Sequence, residues 1–396
     1  MNIAGIICEY NPFHMGHMYQ IERIRALLGD DTAVVCAMSG NFTQRGEPAV
    51  FEKHARAEAA VRCGADLVIE LPYNCTVASA ERFARGGVET LSALGICTHL
   101  SFGSECGDIT ALEKTAQCVM SHDMDVLIKK HLRAGDTYAA ARQRAAYELL
   151  GEGAAVLEKP NNTLAVEYIK ALRDTRSPIK ALTVKREGDA HDTGECSGKA
   201  LRELLLSGGE PWSVIPLPAA QVFKREIAAG RGPVGLEDME AAIMAQLRRR
   251  EDFSDVPDAS EGLDMRMKRL ARTAPTVQEL IDAVKTKRYT RSRISRMVMC
   301  AYLGITQSQV KRPPEYISVL AMNERGMELL RLAAEHISLP LITKPASAKR
   351  LDERGRRAFE QQAMGTDLYT LAYPARAQRY GGQEWTRGPV IVKKDP

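Results

Sequence analysis

Four short apolar, β-branched runs, Ile3–Glu9, Thr32–Met38, Leu67–Leu71 and Thr98–Phe102, recur through the N-terminal part of the chain at intervals of about thirty residues. That interval suits a strand, a helix that crosses back over the sheet, and two short connections. The stretches between the runs read as helices, Gly16–Leu28, Glu52–Cys63 and Ala78–Leu94, and in the last of these Phe83, Val88 and Leu91 form an apolar stripe. Such strands joined by helices predict a parallel sheet covered on both faces. A fifth strand is expected at Ile179–Val184, after a helix from about Asn162 to Arg173, and Gly198–Leu206 reads as a further helix.

The cluster Gly208–Gly209 and Pro211–Pro218 marks a boundary. Beyond it helical periodicity dominates, in Ala219–Ala229, Leu236–Arg249, Thr276–Val284 and Arg293–Tyr302, and the last stretch is mixed and rich in Arg. The expected architecture is α/β: a Rossmann-like parallel sheet of the nucleotidyltransferase type over residues 1–210, followed by a mainly α-helical region over 211–396.

At 396 residues, 45% of them hydrophobic and 26% charged, the chain should fold rather than remain disordered. It shows no basic leader and no apolar stretch long enough to span a membrane, so a soluble, cytoplasmic protein is expected. Nine cysteines without a C-x-x-C pair argue against a disulfide framework or structural zinc. The net charge of +4 hides an asymmetry: residues 1–210 hold 23 Lys and Arg against 28 Asp and Glu, residues 211–396 hold 31 against 22. The second region is a candidate for contact with a polyanion.

The turn after the first run, Glu9-Tyr-Asn-Pro-Phe-His14-Met-Gly16-His17, carries the chemistry. It lies at the carboxyl end of a strand, where open parallel sheets bind ligands, and it opens a helix whose unpaired amides and positive dipole end favour an anion. Asn11 and Pro12 shape the turn, Gly16 permits close backbone approach, and His14 and His17 share one helical face. Two imidazoles there can donate to phosphate oxygens whose charge grows as pyrophosphate leaves, an effect worth about 3 kcal/mol per well-placed donor. A metal pair would need a third ligand at matching spacing, and none is evident.

This N-P-F-H-x-G-H run resembles the H-x-G-H signature of the nucleotidyltransferase superfamily. Further segments narrow the resemblance: Ser39-Gly-Asn-Phe-Thr-Gln-Arg-Gly-Glu-Pro48, Gly64-Ala-Asp-Leu-Val-Ile-Glu-Leu-Pro72, Phe102-Gly-Ser-Glu105, Pro160-Asn-Asn162 and Lys285-Thr-Lys-Arg-Tyr-Thr290. Together they are similar to the tRNA(Met) cytidine acetate ligase family, over most of residues 1–300. The resemblance implies that ATP activates acetate as acetyl-adenylate and that the acetyl group passes to N4 of the wobble cytidine of elongator tRNA(Met). It implies His14 and His17 as catalytic residues. The ATP-binding stretch would be Ile7, Cys8, Glu9, Tyr10, Asn11, Pro12, Phe13, His14, Met15, Gly16, His17, Met18, Tyr19 and Gln20, with Gly103, Asn161 and Arg186 completing the pocket.

Superfamily members carry a second phosphate-binding run opening a late helix. Here Ser197-Gly-Lys-Ala-Leu-Arg202 occupies that place, so Ser197 and Arg202 are expected to face the triphosphate, and Lys199 to offer a further cation. Gly198, Lys199 and Leu201 depart from the family pattern, as does Ala190 before His191-Asp192, where the family tends to have Tyr. Gln44 and Arg45, in the loop after the second strand, are candidates for holding acetate or RNA.

From Ala283 to Pro314 the chain has no acidic residue, yet eight cations: Lys285, Lys287, Arg288, Arg291, Arg293, Arg296, Lys311 and Arg312. Such a run repels itself unless an anion compensates it. Ile294, Met297, Val298 and Ala301 give the same stretch an apolar face, and Tyr289 could stack on a base. Lys285, Lys287, Arg288, Arg291 and Arg293 are therefore the expected tRNA contacts. Mg²⁺ is expected to arrive with ATP. Two other functions fit parts of the pattern: a small-molecule adenylyltransferase, which would leave the basic region idle, and a noncatalytic RNA-binding protein, which would not require the two histidines.

Overall fold

The strands β1 (Ile3–Cys8) and β2 (Ala33–Ser39) are buried along their whole lengths. Ile3, Ile7, Ala33, Val35 and Ala37 enter one apolar cluster, while Ala4, Ile6, Val34, Cys36 and Met38 enter another on the opposite face. Period-two alternation with both sets apolar is the mark of a sheet covered on both sides. On the first face the helices Ala80–Leu94 and Pro160–Asp174 supply Phe83, Val88, Leu91 and Tyr168; on the second, α1 (Met15–Leu28) and α2 (Lys53–Arg62) supply Ile21, Ile24, Ala57 and Val61.

The structure is a computed structural model that describes residues 1–186 and 197–393. Ala190, His191 and Asp192 lie outside the described residues. The sheet adds β3 (Leu67–Leu71), β4 (His99–Ser104), β5 (Lys180–Lys185), β6 (Ile317–Met322), β7 (Leu341–Ile342) and β8 (Val390–Ile391). Its order is β5-β4-β1-β2-β3-β6-β7, with β8 beside β6. The five N-terminal strands are parallel, as expected, and each starts or ends within two residues of its expected bounds. β6 extends the sheet antiparallel to β3, so residues beyond 210 contribute to the same sheet.

The order explains where a ligand can enter. From β1 the chain winds outward through β2 and β3, then returns to the other side of β1 with β4. The helices that leave β1 and β4 diverge there, opening a crevice beyond the carboxyl ends of those two strands.

Three helices, Ile109–Val119, His122–Arg133 and Tyr138–Leu150, separate β4 from β5. The last two enclose a small apolar cluster of their own, built on Met124, Ile128, Ala141 and Ala145. Beyond residue 210 the helices Glu240–Arg249, Leu263–Ala271, Val277–Val284 and Arg291–Leu303 pack with Phe42, Tyr73 and Val77 of the N-terminal part. Among the described residues no helix is long and apolar enough to cross a membrane.

Lys53 is a buried tie between the two parts. Its ammonium lies 2.8 Å from Glu70 on β3 and 2.7 Å from Glu384 near the C-terminus, with no side-chain exposure. Gln362 and Thr366, on the helix Glu353–Thr370, hydrogen bond to Glu70 and Glu384 and complete the cluster.

Candidate nucleotide site

A cleft of about 830 Å³ opens at that crevice. Ile6, Ile7, Cys8, Glu9, Tyr10, Asn11, His14, His17 and Gln20 line it from β1 and α1, and Phe102 and Gly103 from β4. Asn161, Arg186, Gly198 and Arg202 close the sides, and Thr290, Arg291, Ser292, Ser295 and Arg296 stand at its mouth. Of the expected nucleotide stretch, Pro12, Phe13, Met15, Gly16, Met18 and Tyr19 do not line the cleft; Phe13 is fully buried and packs edge-on against Tyr10.

His14 caps α1. Its Nδ1 accepts the Gly16 N–H at 3.1 Å, and His17 Nδ1 accepts the His14 N–H at 3.2 Å. A side chain at position 16 would crowd this arrangement, because a Cβ there would lie 3.0 Å from His14 Cε1. The two rings stack with centroids 3.8 Å apart, and Tyr10 and Phe13 flank His17. A ring nitrogen that accepts carries no proton, so each neutral imidazole holds its proton on Nε2. Burial holds His17 well below the usual imidazole range, and His14 and Arg186 push the same way. At neutral pH His17 is therefore a fixed donor rather than a cation.

The second phosphate-binding run lies against the first. A Cβ built on Gly198 would sit 4.0 Å from His14 Nε2, and Arg202 donates through Nη1 to Asn11 O and Gly198 O, both at 2.9 Å. Ser197 caps the helix Gly198–Leu206, its Oγ accepting from Ala200 N–H at 3.1 Å. Lys199 lies outside the cleft, exposed, 3.6 Å from Glu203.

Gly103 and Asn161 work through neighbours. A Cβ at Gly103 would lie 3.3 Å from Arg186 Cγ, so the glycine makes room for the arginine stem. Asn161 donates from Nδ2 to Glu105 at 2.8 Å, and Glu105 also accepts the amides of Asn161 and Asn162. Asn162 returns the bond by accepting from the amides of Glu105 and Cys106. Glu105 thus caps the helix that carries Asn161 and fixes it beside β4.

Arg56 is a residue the sequence did not mark. It is fully buried and donates to the carbonyls of Phe51 at 2.8 Å and Ser39 at 3.0 Å, and to those of Glu9 and Gly40. It ties together the carboxyl ends of β1 and β2 directly behind the cleft. Every residue of α2 from Lys53 to Val61 is buried, although polar groups occur on all its faces, so no amphipathic pattern flags Arg56.

Glu9, at the end of β1, accepts the Gln44 N–H at 2.6 Å, and Gln44 donates from Nε2 to Ala78 O at 2.7 Å. Burial raises the Glu9 carboxyl, with Gln44 and nearby arginines opposing. Gln44 and Arg45 both line the cleft, and the Gln44 amides are held by these bonds to Glu9 and Ala78.

The basic run differs from the expectation of mutual repulsion. Acidic residues from neighbouring segments neutralise much of it: Arg288 pairs with Glu261 at 3.4 Å, Arg291 with Asp282, and Arg296 with Asp258 at 2.9 Å. Arg293 donates to Asp258 O and Ser260 Oγ, and its guanidinium lies 4.8 Å from the Tyr289 ring. Tyr289 donates to Glu261 at 2.6 Å. Lys285 and Lys287 are exposed and have no ion pair among the described residues. The apolar side of the stretch, Ile294, Met297, Val298 and Ala301, is buried as expected.

A switch-point cleft edged by an H-x-G-H helix defines a nucleotidyl transferase. The family described as HIGH Nucleotidyl Transferase matches residues 1–384. The tRNA(Met) cytidine acetate ligase of Acetivibrio thermocellus is 36% identical over 416 residues, covering 99% of this chain and 100% of the relative. That of Thermoanaerobacter sp. is 37% identical over 388 residues, covering 94% and 96%. The crystal structure of Thermotoga maritima TmcAL bound with alpha-thio ATP matches with a TM-score of 0.92 at 32% identity, covering 100% of both chains. The chain belongs to the tRNA(Met) cytidine acetate ligase family and is a ligase.

Proposed function

We propose that this chain joins acetate to the wobble cytidine of elongator tRNA(Met) at the expense of ATP. An acetate oxygen attacks the α-phosphorus, the bond to the bridging oxygen breaks, and pyrophosphate leaves with acetyl-adenylate remaining. The N4 amine of the cytidine then attacks the acetyl carbon, AMP departs, and N4 loses a proton to give N4-acetylcytidine.

The observation that carries this reading is the pair of imidazoles whose Nδ1 atoms both accept backbone N–H groups. Their Nε2–H groups are set in advance to meet the charge that grows on the triphosphate. Arg186 and Arg202 add fixed cations beside them, Gly103 and Asn161 shape the walls, and Ser197, which does not line the cleft, caps the helix that brings Gly198 and Arg202 to it. Among the described residues no cluster of three or more His, Cys, Asp or Glu could hold a metal ion. Mg²⁺ would arrive with the triphosphate, whose charge it would neutralise.

In this reading residues 1–210 carry the nucleotide chemistry and 211–396 present the RNA, in the cytoplasm. Lys285, Lys287, Arg288, Arg291 and Arg293 are the proposed RNA contacts, and Arg291 among them lines the cleft. A small-molecule adenylyltransferase would leave that placement without a use. The test is acetate-dependent exchange of labelled pyrophosphate into ATP, followed by mass analysis of nucleosides from tRNA incubated with ATP and labelled acetate. Exchange with acetate and labelled N4-acetylcytidine are expected; exchange driven only by a different acid would reject the substrate.

A further inference from the structure

We infer that the mouth of the cleft holds a subsite for one backbone phosphate of the RNA, made by Arg45, Ser292, Ser295 and the first turn of the helix Arg291–Leu303. This deepens the ligase reading and rests on it.

The helix start faces the cleft: Thr290, Arg291, Ser292 and Ser295 line it. The helix has 13 residues, and its N-terminal amides carry a partial positive charge. Thr290 Oγ1 accepts one of them, from Arg293, at 3.4 Å. Ser295 points to a ligand independently. It is only 6% exposed, and its hydroxyl has no hydrogen-bond partner among the described residues. That hydroxyl opens on the cleft, where it can donate to a ligand oxygen without giving up a protein partner.

Arg45 is brought to the same place by backbone packing. Gly46 has φ of +78°, and a Cβ there would lie 2.6 Å from the Ser295 carbonyl carbon. The loop therefore rests directly on Ser295 and Arg296, and only glycine fits. The loop is stiffened by Thr43 N–H to Glu47 O at 2.9 Å and Gly46 N–H to Thr43 O at 3.0 Å. Arg45 is exposed, lines the cleft, and has no ion pair among the described residues. The other cations at the mouth are occupied, Arg291 by Asp282 and Arg296 by Asp258.

A guanidinium that acts on Glu9 but forms no ion pair among the described residues, a serine hydroxyl without a hydrogen-bond partner there and a helix N-terminus together select an anion with several acceptor oxygens. In the ligase reading the nucleotide phosphates have their own donors at His14, His17 and Arg202. Arg291 and Arg296, which line the cleft, belong to the basic run that begins at Lys285. A backbone phosphate beside the acceptor cytidine must cross this mouth if the base is to reach the adenylate, which favours RNA over the small acid.

The test compares parent, Arg45→Gln and Ser295→Ala in binding an unmodified tRNA(Met) transcript over a range of salt, with pyrophosphate exchange measured alongside. Arg45 is exposed, so its substitution leaves the fold intact. Arg45→Gln should weaken RNA binding about tenfold and reduce the slope of log K against log salt by about 0.7. Ser295→Ala, which removes a neutral donor, should weaken binding without changing the slope. Parental RNA binding in both variants would overturn the subsite, as would losses confined to the KM for ATP or acetate. A parent inactive in exchange would remove the ligase reading instead, and RNA binding by the variants would still decide the subsite.

Discussion

His14 and His17 lie stacked 3.8 Å apart at the head of α1, each tied through Nδ1 to a backbone amide of the same turn. The tie makes the tautomer a property of the fold. Because burial lowers the His17 pKa, the unfolded chain takes up a proton near 6.5 before the folded chain does. The stability that neutral His17 contributes is complete above 6.5 and is lost as pH falls toward its folded value. Between about pH 7 and pH 5, urea unfolding should show the parent losing more stability than His17→Gln. Equal losses would mean that His17 is not buried as described.

Replacing His14 or His17 by Ala should lower acetate-dependent pyrophosphate exchange by about 100-fold or more. Circular dichroism should report an intact fold. Unchanged turnover would remove these residues from the site.

Lys53 tests how the two parts of the chain are joined. Burial opposes its charge, but Glu384 and Glu70 outweigh burial and raise its pKa. Burial pushes the Glu70 carboxyl up to about 7, with Lys53 pulling it back and Glu384 adding to the rise. Lys53→Met leaves two buried carboxylates facing each other and should cost about 3–5 kcal/mol in denaturant unfolding. Adding Glu70→Gln and Glu384→Gln should restore part of that loss, since the uncompensated charges disappear with it.

The basic run should not act uniformly. Arg288 and Arg291 already face Glu261 and Asp282, whereas Lys285 and Lys287 have no such partner among the described residues. Lys287→Glu should therefore weaken tRNA binding more than Arg288→Glu, with both effects shrinking as salt rises. Filter binding at two salt concentrations would check the order.

The sequence made the N-terminal strands and helices legible because their spacing and burial repeat. The histidine turn was legible because polar residues at a strand end have few structural reasons to be there. Strand order was not legible, since nothing local says that β4 returns to the far side of β1. β6, short and set among Arg-rich segments, was missed because its partner β3 lies some 250 residues away and only tertiary pairing stabilises it. Arg56 was invisible for a related reason: its acceptors are carbonyls, which every residue type carries. The partners of the basic run, Asp258, Glu261 and Asp282, lie outside the window in which its charge was counted.

The most direct measurement is a crystal structure of this chain with a non-hydrolysable ATP analogue. The predicted result is a triphosphate whose oxygens lie about 3 Å from Nε2 of both His14 and His17, with Arg202 close by. Nucleotide density elsewhere, or imidazoles turned so that Nδ1 rather than Nε2 meets the phosphates, would contradict it.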